Sequence, residues 1–237
     1  MKLGEEALRL WQIAQTLAIS GYHHVFRVIL VQIDGPDAVM EQQIARLLAQ
    51  RLLRHLDFDV RVEGAEKVEG LKRYAIASTH ASYLDWAILI GHFPTQLRFV
   101  AKRELIWMPV IGQWLARRAI LIDRRKGRTA KEAIRTAARD SEPWPILIFP
   151  EGTRSPDGTI QPFKAGGLRI LFEEGRTVVP VCIRGTFDHF PRHARTIKTG
   201  GVLRMLICDP VRADFGGGVD GAMAEVERRM RAAAAQT

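Results

Sequence analysis

A histidine and an aspartate stand five positions apart, at His80 and Asp85, in a stretch that separates two apolar runs. An imidazole held by a carboxylate through one ring nitrogen keeps its other nitrogen free to take up a proton, so the pair could act as a general base. Inside a helix, however, side chains meet only when they are three or four positions apart. The two can therefore meet only if His80 precedes a helix and Asp85 lies in its first turn.

Ser82, between the two, favours that arrangement. Serine is a good N-cap residue, and Asp85 follows three positions later, where a capping-box carboxylate would stand. The positive end of the helix would also stabilise this carboxylate. Taken alone, the pair still favours a structural interpretation, in which Asp85 only begins a helix and His80 lies in a loop. The rest of the chain must decide between the two.

The elements that would position this pair follow from the apolar pattern. Short apolar runs and helical segments alternate from about residue 60 onward, which is typical of an α/β fold with a mixed sheet flanked by helices. The expected strands are 60–62, 74–78, 97–100, 119–122, 146–149, 178–183 and 202–207, and the expected helices are 83–91, 109–117, 129–140, 167–174 and 223–234. His80 then follows a strand end, which in such folds faces a crevice.

Two helical segments precede the α/β pattern. Apolar residues recur at helical spacing over residues 3–33 and 38–55, and an Asp-Gly-Pro-Asp break at 34–37 separates them. We therefore expect an N-terminal two-helix segment, residues 1–56, followed by one α/β domain, residues 57–237. The helical pair could pack in the core, form a dimer face or lie on a membrane with its arginines at the level of the lipid headgroups.

The composition is that of a globular protein with an unusual charge. The chain has 237 residues, of which 47% are hydrophobic and 26% are charged, and its formal net charge is +9. This charge favours anionic partners, namely nucleic acid, an acidic lipid surface, a phosphorylated substrate or an acidic carrier protein. No basic recognition helix, aromatic platform or zinc-ligand spacing accompanies it, so we expect no nucleic acid. Pro191 interrupts the helix that would pair His189 with His193, and we expect no metal.

The sequence also bears on location. The first residues lack a basic segment followed by an apolar stretch and a cleavage site, and no apolar run approaches the roughly 18 residues of a spanning helix. Cys182 and Cys208 lie in apolar runs and form no disulfide framework, which is typical of a reducing cytoplasm. We therefore expect a soluble protein, or one that lies on a membrane from its cytoplasmic side.

Cationic residues follow two of the expected strands. Lys102 and Arg103 follow one strand, and Arg124 follows another. A charge run of this kind is usually solvated. Here it could also line a crevice with cations that bind a phosphate.

The stretch 146–155 carries the strongest signal in the chain. A buried strand runs directly into a turn that contains Glu151, Gly152, Thr153 and Arg154. An arginine fork gives paired hydrogen bonds to a phosphate, and turn amides can add to them. The alternative is a tight turn with a Glu–Arg surface pair, which does not explain why the apolar strand ends so abruptly in such residues.

Together, these stretches resemble the four motif blocks of the glycerophospholipid acyltransferase family. The blocks are His80-x4-Asp85; Lys102-Arg103-Glu104-Leu105 with Pro109, Gly112 and Ile122-Asp123-Arg124; Phe149-Pro150-Glu151-Gly152-Thr153-Arg154-Ser155; and Val179-Pro180-Val181. Each block alone is a weak match, but they occur together in the family's order and approximate spacing. The chain resembles the small bacterial 1-acylglycerol-3-phosphate acyltransferases. Thr79 stands where the family often has asparagine, so another acceptor, such as a lyso-ornithine lipid, stays open.

The resemblance implies transfer of an acyl group from acyl-CoA or an acyl carrier protein to the free hydroxyl of a lysophospholipid, without a further cofactor. It implies that His80 removes the hydroxyl proton and that Asp85 orients the imidazole. The residues implied to bind the acceptor and its phosphate are Glu151, Gly152, Thr153, Arg154, Lys102, Arg103 and Arg124.

A lipid substrate also favours one of the alternatives for residues 1–56, the one in which they lie on a membrane. The helical pair would then lie on an anionic membrane surface, as part of a peripheral or monotopic protein on the cytoplasmic face. A non-catalytic lipid-binding module with the same fold is the remaining alternative. The presence of both His80 and Asp85 argues against it.

Overall fold

The computed structural model describes residues 38–107, 111–123, 125–140 and 144–236. Its strands are β1 Phe58–Glu63, β2 Tyr74–Ser78, β3 Arg98–Lys102, β4 Ile120–Ile122, β5 Ile146–Ile148, β6 Thr177–Arg184 and β7 Gly201–Ile207. Its helices are α1 Ala38–His55, α2 Leu84–His92, α3 Ile111–Arg118, α4 Gly127–Arg139, α5 Ala165–Glu173, α6 Thr186–His189 and α7 Gly218–Ala235, with 3-10 helices at Ala65–Val68 and Arg103–Trp107.

The seven strands form one mixed sheet in the order β1-β7-β6-β2-β5-β3-β4. The neighbours from β6 to β4 pair in parallel, whereas β7 pairs antiparallel with β6 and parallel with β1. Because parallel strands end at the same edge, the residues that follow β2, β3, β4, β5 and β6 gather there. The predicted mixed α/β sheet is confirmed, and each of the seven predicted strands forms within two residues of its expected bounds.

β2 lies in the middle of the sheet and is buried along its whole length. Ala75 and Ala77 pack in the same core cluster as Ile134 of α4, and Ile76 packs in the cluster on the other face with Ile88 of α2. A strand covered on both faces needs a continuous apolar run rather than an alternating one. Helices on both faces thus hold β2 in place, and with it the residues that follow.

α1 has the bounds predicted for the second helix of the N-terminal pair. It packs against α2 through side chains that donate to the carbonyls at the end of that helix, from Gln50 Nε2 to Gly91 O at 2.7 Å and from Arg46 Nη2 to Phe93 O at 2.8 Å. The first predicted helix, over residues 3–33, lies outside the described residues, and the boundary after residue 56 stays a prediction. None of the described helices combines the length and apolarity that crossing a membrane requires.

Arg176 joins α4 to the amino end of β2, at the end of the strand opposite the His80 loop. Its side chain is buried and donates to four carbonyl oxygens, those of Tyr74, Ala137, Ala138 and Asp140, at 3.0 to 3.4 Å. The last carbonyls of a helix have no partner within the helix, and a cation there also complements the negative end of the helix dipole. The guanidinium therefore caps the carboxyl end of α4.

Replacing Arg176 by methionine should lower the free energy of unfolding by about 2 to 4 kcal/mol, because the buried carbonyls lose a charged donor. The measurement is urea denaturation followed by circular dichroism. Arg139→Met is the matched control, since Arg139 lies at the end of the same helix but in an exposed ion pair with Glu174. Equal losses in the two variants would contradict this account of Arg176.

Candidate active site

The loop between β2 and α2 carries the first motif. α2 begins at Leu84 with Tyr83 as its N-cap residue, one position later than the Ser82 cap that the sequence predicted. Ser82 still contributes, because its hydroxyl accepts from the Leu84 amide at 3.1 Å and donates to the Phe190 carbonyl at 2.7 Å. The predicted cap residue differs from the observed one by one position, because α2 begins only at Leu84, but the bond from the Leu84 amide to the Ser82 hydroxyl is of the kind that an N-cap side chain makes.

His80 and Asp85 meet, although five positions separate them. His80 Nδ1 lies 2.9 Å from Asp85 Oδ2, and the aspartate side chain is only 1% exposed. His80 lies before the helix and Asp85 in its first turn, which is the arrangement that the spacing requires. A carboxylate at Nδ1 makes that nitrogen the donor and leaves Nε2 as the proton acceptor of the neutral ring.

Asp85 receives hydrogen bonds from several directions. Oδ2 also accepts from the amides of Ala81 at 2.7 Å and Ser82 at 2.8 Å, and Oδ1 accepts from the hydroxyl of Thr186 at 2.6 Å. The Ser82 amide bond is one half of the predicted capping box. A buried carboxylate needs such donors, because burial otherwise leaves it without the hydrogen bonds of water. The donors fix both its position and its plane.

The imidazole of His80 is held on its face as well as at its edge. It stacks on Phe149, with 3.9 Å between the ring centroids and 18° between the planes. No hydrogen bond joins Nε2 to another residue of the described ranges. The side chain is 17% exposed, so a ligand can reach it.

Glu151 lies under this loop and holds the backbone of His80. Its Oε1 accepts from the His80 amide at 2.8 Å, and its Oε2 accepts from the Gln161 amide at 2.9 Å. The residue is 2% exposed. Burial raises the pKa of its carboxyl, against the opposing effect of the two amides and of His80. The predicted contact of Glu151 with an acceptor stays a prediction, but both of its oxygens already have backbone donors.

The turn after β5 returns the chain to His80. Gly152 has φ of +71°, and a side chain there would come within 2.9 Å of Lys164 Cδ. The positive φ favours glycine, since other residues rarely adopt this conformation, whereas the flexible Lys164 side chain can move aside. The Ser155 amide then donates to the His80 carbonyl at 2.7 Å. Thr153, at the tip, is exposed. The turn is thereby joined to the loop that carries the histidine.

Arg154 lies in this turn, and its side chain stacks on the ring of Tyr83. Its guanidinium carbon lies 3.6 Å from the centroid of the Tyr83 ring. Its Nη1 is buried and makes no hydrogen bond with any residue in the described part of the chain. A buried guanidinium nitrogen without an acceptor is uncommon in folded proteins, and it marks a place where an anionic ligand would gain a strong hydrogen bond.

The other predicted cations lie farther along the same edge of the sheet. Lys102 ends β3 and pairs with Glu104 at 3.3 Å, and the exposed Arg103 begins the following 3-10 helix. No contact joins these two side chains to His80 or Arg154 within the described residues. Arg124 lies outside the described residues.

A cavity of about 410 Å³ borders the histidine. Its lining includes Thr79, His80, Cys182 and Thr186. The Thr79 hydroxyl accepts from the Ile183 amide at 2.8 Å, so it is bonded to the neighbouring strand. Burial raises the pKa of the Cys182 thiol to about 12. Its thiolate is therefore negligible near neutral pH, and Cys182 is a poor nucleophile.

Sequence reasoning did not predict the roles of Tyr83, Phe149 and Thr186. Tyr83 and Phe149 lie inside motif stretches, but nothing in their spacing shows that their rings stack on Arg154 and His80. Thr186 is separated from Asp85 by 101 positions. The one available signal was its place three positions after the carboxyl end of a predicted strand, beside Gly185.

Comparisons with known proteins agree with this geometry. A model of the acyltransferase family matches residues 59–184, a segment that includes the loop of His80 and the turn of Arg154. The structure is similar to the crystal structure of the 1-acyl-sn-glycerophosphate (LPA) acyltransferase PlsC from Thermotoga maritima. The TM-score is 0.80 and the identity 26%, over 97% of this chain and 95% of that chain.

Two plant proteins named 1-acyl-sn-glycerol-3-phosphate acyltransferase are also similar. The protein from Limnanthes douglasii is 33% identical over 130 residues, or 54% of this chain and 46% of that protein. The protein from Cocos nucifera is 30% identical over 192 residues, or 79% of this chain and 61% of that protein. The matches therefore span about half to three fifths of the length of these relatives.

The resemblance seen in the four sequence blocks is thus confirmed by the matches to the family, to relatives and to a solved structure. The matched family segment covers more than half of the 237 residues. The chain belongs to the acyltransferase family.

Proposed function

We propose that the protein transfers a fatty acyl group from an acyl thioester to the free hydroxyl of a lysophospholipid, and that the acceptor is 1-acylglycerol-3-phosphate, which becomes phosphatidic acid. The observation that carries the proposal is the His80–Asp85 contact, which leaves Nε2 available beside a turn that presents Arg154. The names of the similar proteins from Thermotoga maritima and Limnanthes douglasii support the same acceptor.

The geometry supports direct transfer of the acyl group from donor to acceptor, without a covalent acyl-enzyme. His80 Nε2 removes the proton of the acceptor hydroxyl while the oxygen attacks the thioester carbonyl. Asp85 stabilises the imidazolium that forms. The tetrahedral intermediate then expels the thiolate, which takes the proton back from His80. The acyl donor is acyl-CoA or an acyl carrier protein, and no acyl-enzyme is needed. The high pKa of Cys182 agrees with this, since it removes the nearby thiol as a nucleophile.

Arg154 is the proposed anchor for the acceptor phosphate. A phosphate oxygen would supply the hydrogen bond that its buried Nη1 lacks among the described residues. The Tyr83 ring lies against the guanidinium and limits its rotation. Lys102 and Arg103, at the same edge of the sheet, would add positive charge at longer range.

We also propose that the protein works at the surface of an anionic membrane. Met40 and Leu47 of α1 are 40% and 52% exposed, and their spacing of seven places them on one face of the helix. Trp107, which follows β3, is 83% exposed. Together with the net charge of +9, these apolar side chains suit the interface between lipid headgroups and acyl chains.

Replacing His80 by alanine should lower the rate of thiol release from acyl-CoA, measured with 1-acylglycerol-3-phosphate present, by about 10²- to 10⁴-fold. The loss reflects the absent general base. His193→Ala is the control, because His193 is exposed in a loop after α6. Turnover by a folded His80→Ala protein at the wild-type rate would exclude the mechanism.

Replacing Arg154 by lysine should raise the KM for 1-acylglycerol-3-phosphate by about tenfold or more, because lysine keeps the charge but loses the fork. The kcat should change much less. Steady-state kinetics at saturating donor measure both constants. Tyr83→Leu should raise the same KM several-fold, whereas Tyr83→Phe keeps the ring and should not. An unchanged KM in Arg154→Lys would show that the acceptor phosphate binds elsewhere.

Replacing Met40 and Leu47 together by glutamine should weaken binding to vesicles that contain anionic phospholipid by roughly tenfold, because less apolar surface enters the bilayer. Co-sedimentation with the vesicles measures the bound fraction. Val202→Gln is the control, since Val202 lies on β7 and is as exposed as Met40, at 40%. If the double variant binds as well as the wild-type protein, α1 is not a contact with the membrane.

A further inference from the structure

Thr186 contributes the hydrogen bond that completes the environment of Asp85. Its Oγ1 lies 2.6 Å from Asp85 Oδ1, and the residue is 1% exposed. An ionised carboxylate has no proton to give, so the hydroxyl is the donor in this bond. Hydrogen bonds to a charged partner are among the stronger ones in proteins.

The two oxygens of Asp85 differ in how they are supported. Oδ2 has three donors, namely His80 Nδ1 and the amides of Ala81 and Ser82. For Oδ1, Thr186 is the one donor among the described residues. The backbone amides cannot be removed by a side-chain substitution, whereas the bond to Oδ1 depends entirely on the hydroxyl at position 186.

The fold brings Thr186 to this position by a short and constrained route. Thr186 is the first residue of α6 and follows Gly185, the N-cap residue, which has φ of +85°. A side chain at Gly185 would come within 2.9 Å of the Val202 carbonyl. The chain therefore turns sharply at the end of β6, and the threonine points back towards the loop after β2.

Thr186 also separates Asp85 from the cavity beside the histidine. His80 and Thr186 both line this cavity, and Asp85 does not. The Asp85 side chain is only 1% exposed while threonine fills the position. A side chain of the same shape without a hydroxyl would keep the water out and supply no donor in its place.

We propose that Thr186 is a positioning residue for the acyl-transfer reaction, which fixes the plane of the Asp85 carboxylate and stabilises its charge while His80 becomes an imidazolium. The inference rests on the proposed function, since that function gives His80 its role as a base. In this mechanism the Thr186 hydroxyl acts through Asp85, to which it is bonded, and not on a substrate. Its effect therefore falls on the chemical step and not on acceptor binding.

Thr186→Val should lower kcat by about 10- to 100-fold and leave the KM for the acceptor within a factor of about two. Thr186→Ser restores the hydroxyl and should recover most of kcat. Thr95→Val is the matched control: it removes a hydroxyl bonded to Tyr74 at 2.7 Å, at the far edge of the sheet, and should leave kcat unchanged. A folded Thr186→Val protein with the wild-type kcat, or a serine variant as slow as the valine variant, would overturn the inference.

A second measurement does not depend on activity. The proton on His80 Nδ1, shared with Asp85, should give a strongly downfield proton NMR signal that is absent from His80→Ala. The signal should shift in Thr186→Val and return to its original position in Thr186→Ser. An unshifted signal in Thr186→Val would overturn the inference, whether or not the wild-type protein transfers an acyl group. Absence of acyl transfer by the wild-type protein would contradict only the proposed function.

Discussion

The arrangement of the site depends on one buried carboxylate. Asp85 is removed from solvent, and a carboxylate in that environment is stable only where donors replace the hydrogen bonds of water. Its donors come from the loop after β2 and from the start of α6. The need to satisfy this group fixes the path of both segments. It also sets the orientation of His80, which is bonded to Asp85 through Nδ1.

The sheet supplies the rigidity that such a site needs. β2 is covered on both faces, and the turn after β5 is bonded to the loop after β2 through the His80 amide and carbonyl. Glu151 and Ser155 make those bonds, which join the motif that contains Arg154 to the motif that contains His80. The proposed base and the proposed phosphate anchor are thereby linked through the backbone. That link matters for a reaction in which a hydroxyl must reach the base while its phosphate is bound.

Local pattern in the sequence was enough to predict much of this arrangement. The apolar runs predicted the seven strands, and the five-residue spacing predicted that His80 lies before a helix and Asp85 in its first turn. Strand order was not predictable, because β2 pairs with β6, about a hundred residues away. The contact of Thr186 with Asp85 was unpredictable for the same reason, since 101 positions separate the two residues. Side-chain direction was also hidden: Glu151 stands beside Arg154 in the sequence, yet its oxygens face the amides of His80 and Gln161.

The most direct test of acyl transfer at this site is mass spectrometry of the lipids formed when purified full-length protein receives an acyl thioester and a panel of lyso-lipids. The panel would include 1-acylglycerol-3-phosphate and a lyso-ornithine lipid. We expect phosphatidic acid that carries the donor's acyl chain, formed by the wild-type protein and not by His80→Ala. Phosphatidic acid formed equally well by both proteins, or no acylated lipid from any acceptor, would contradict a reaction driven by the His80–Asp85 pair.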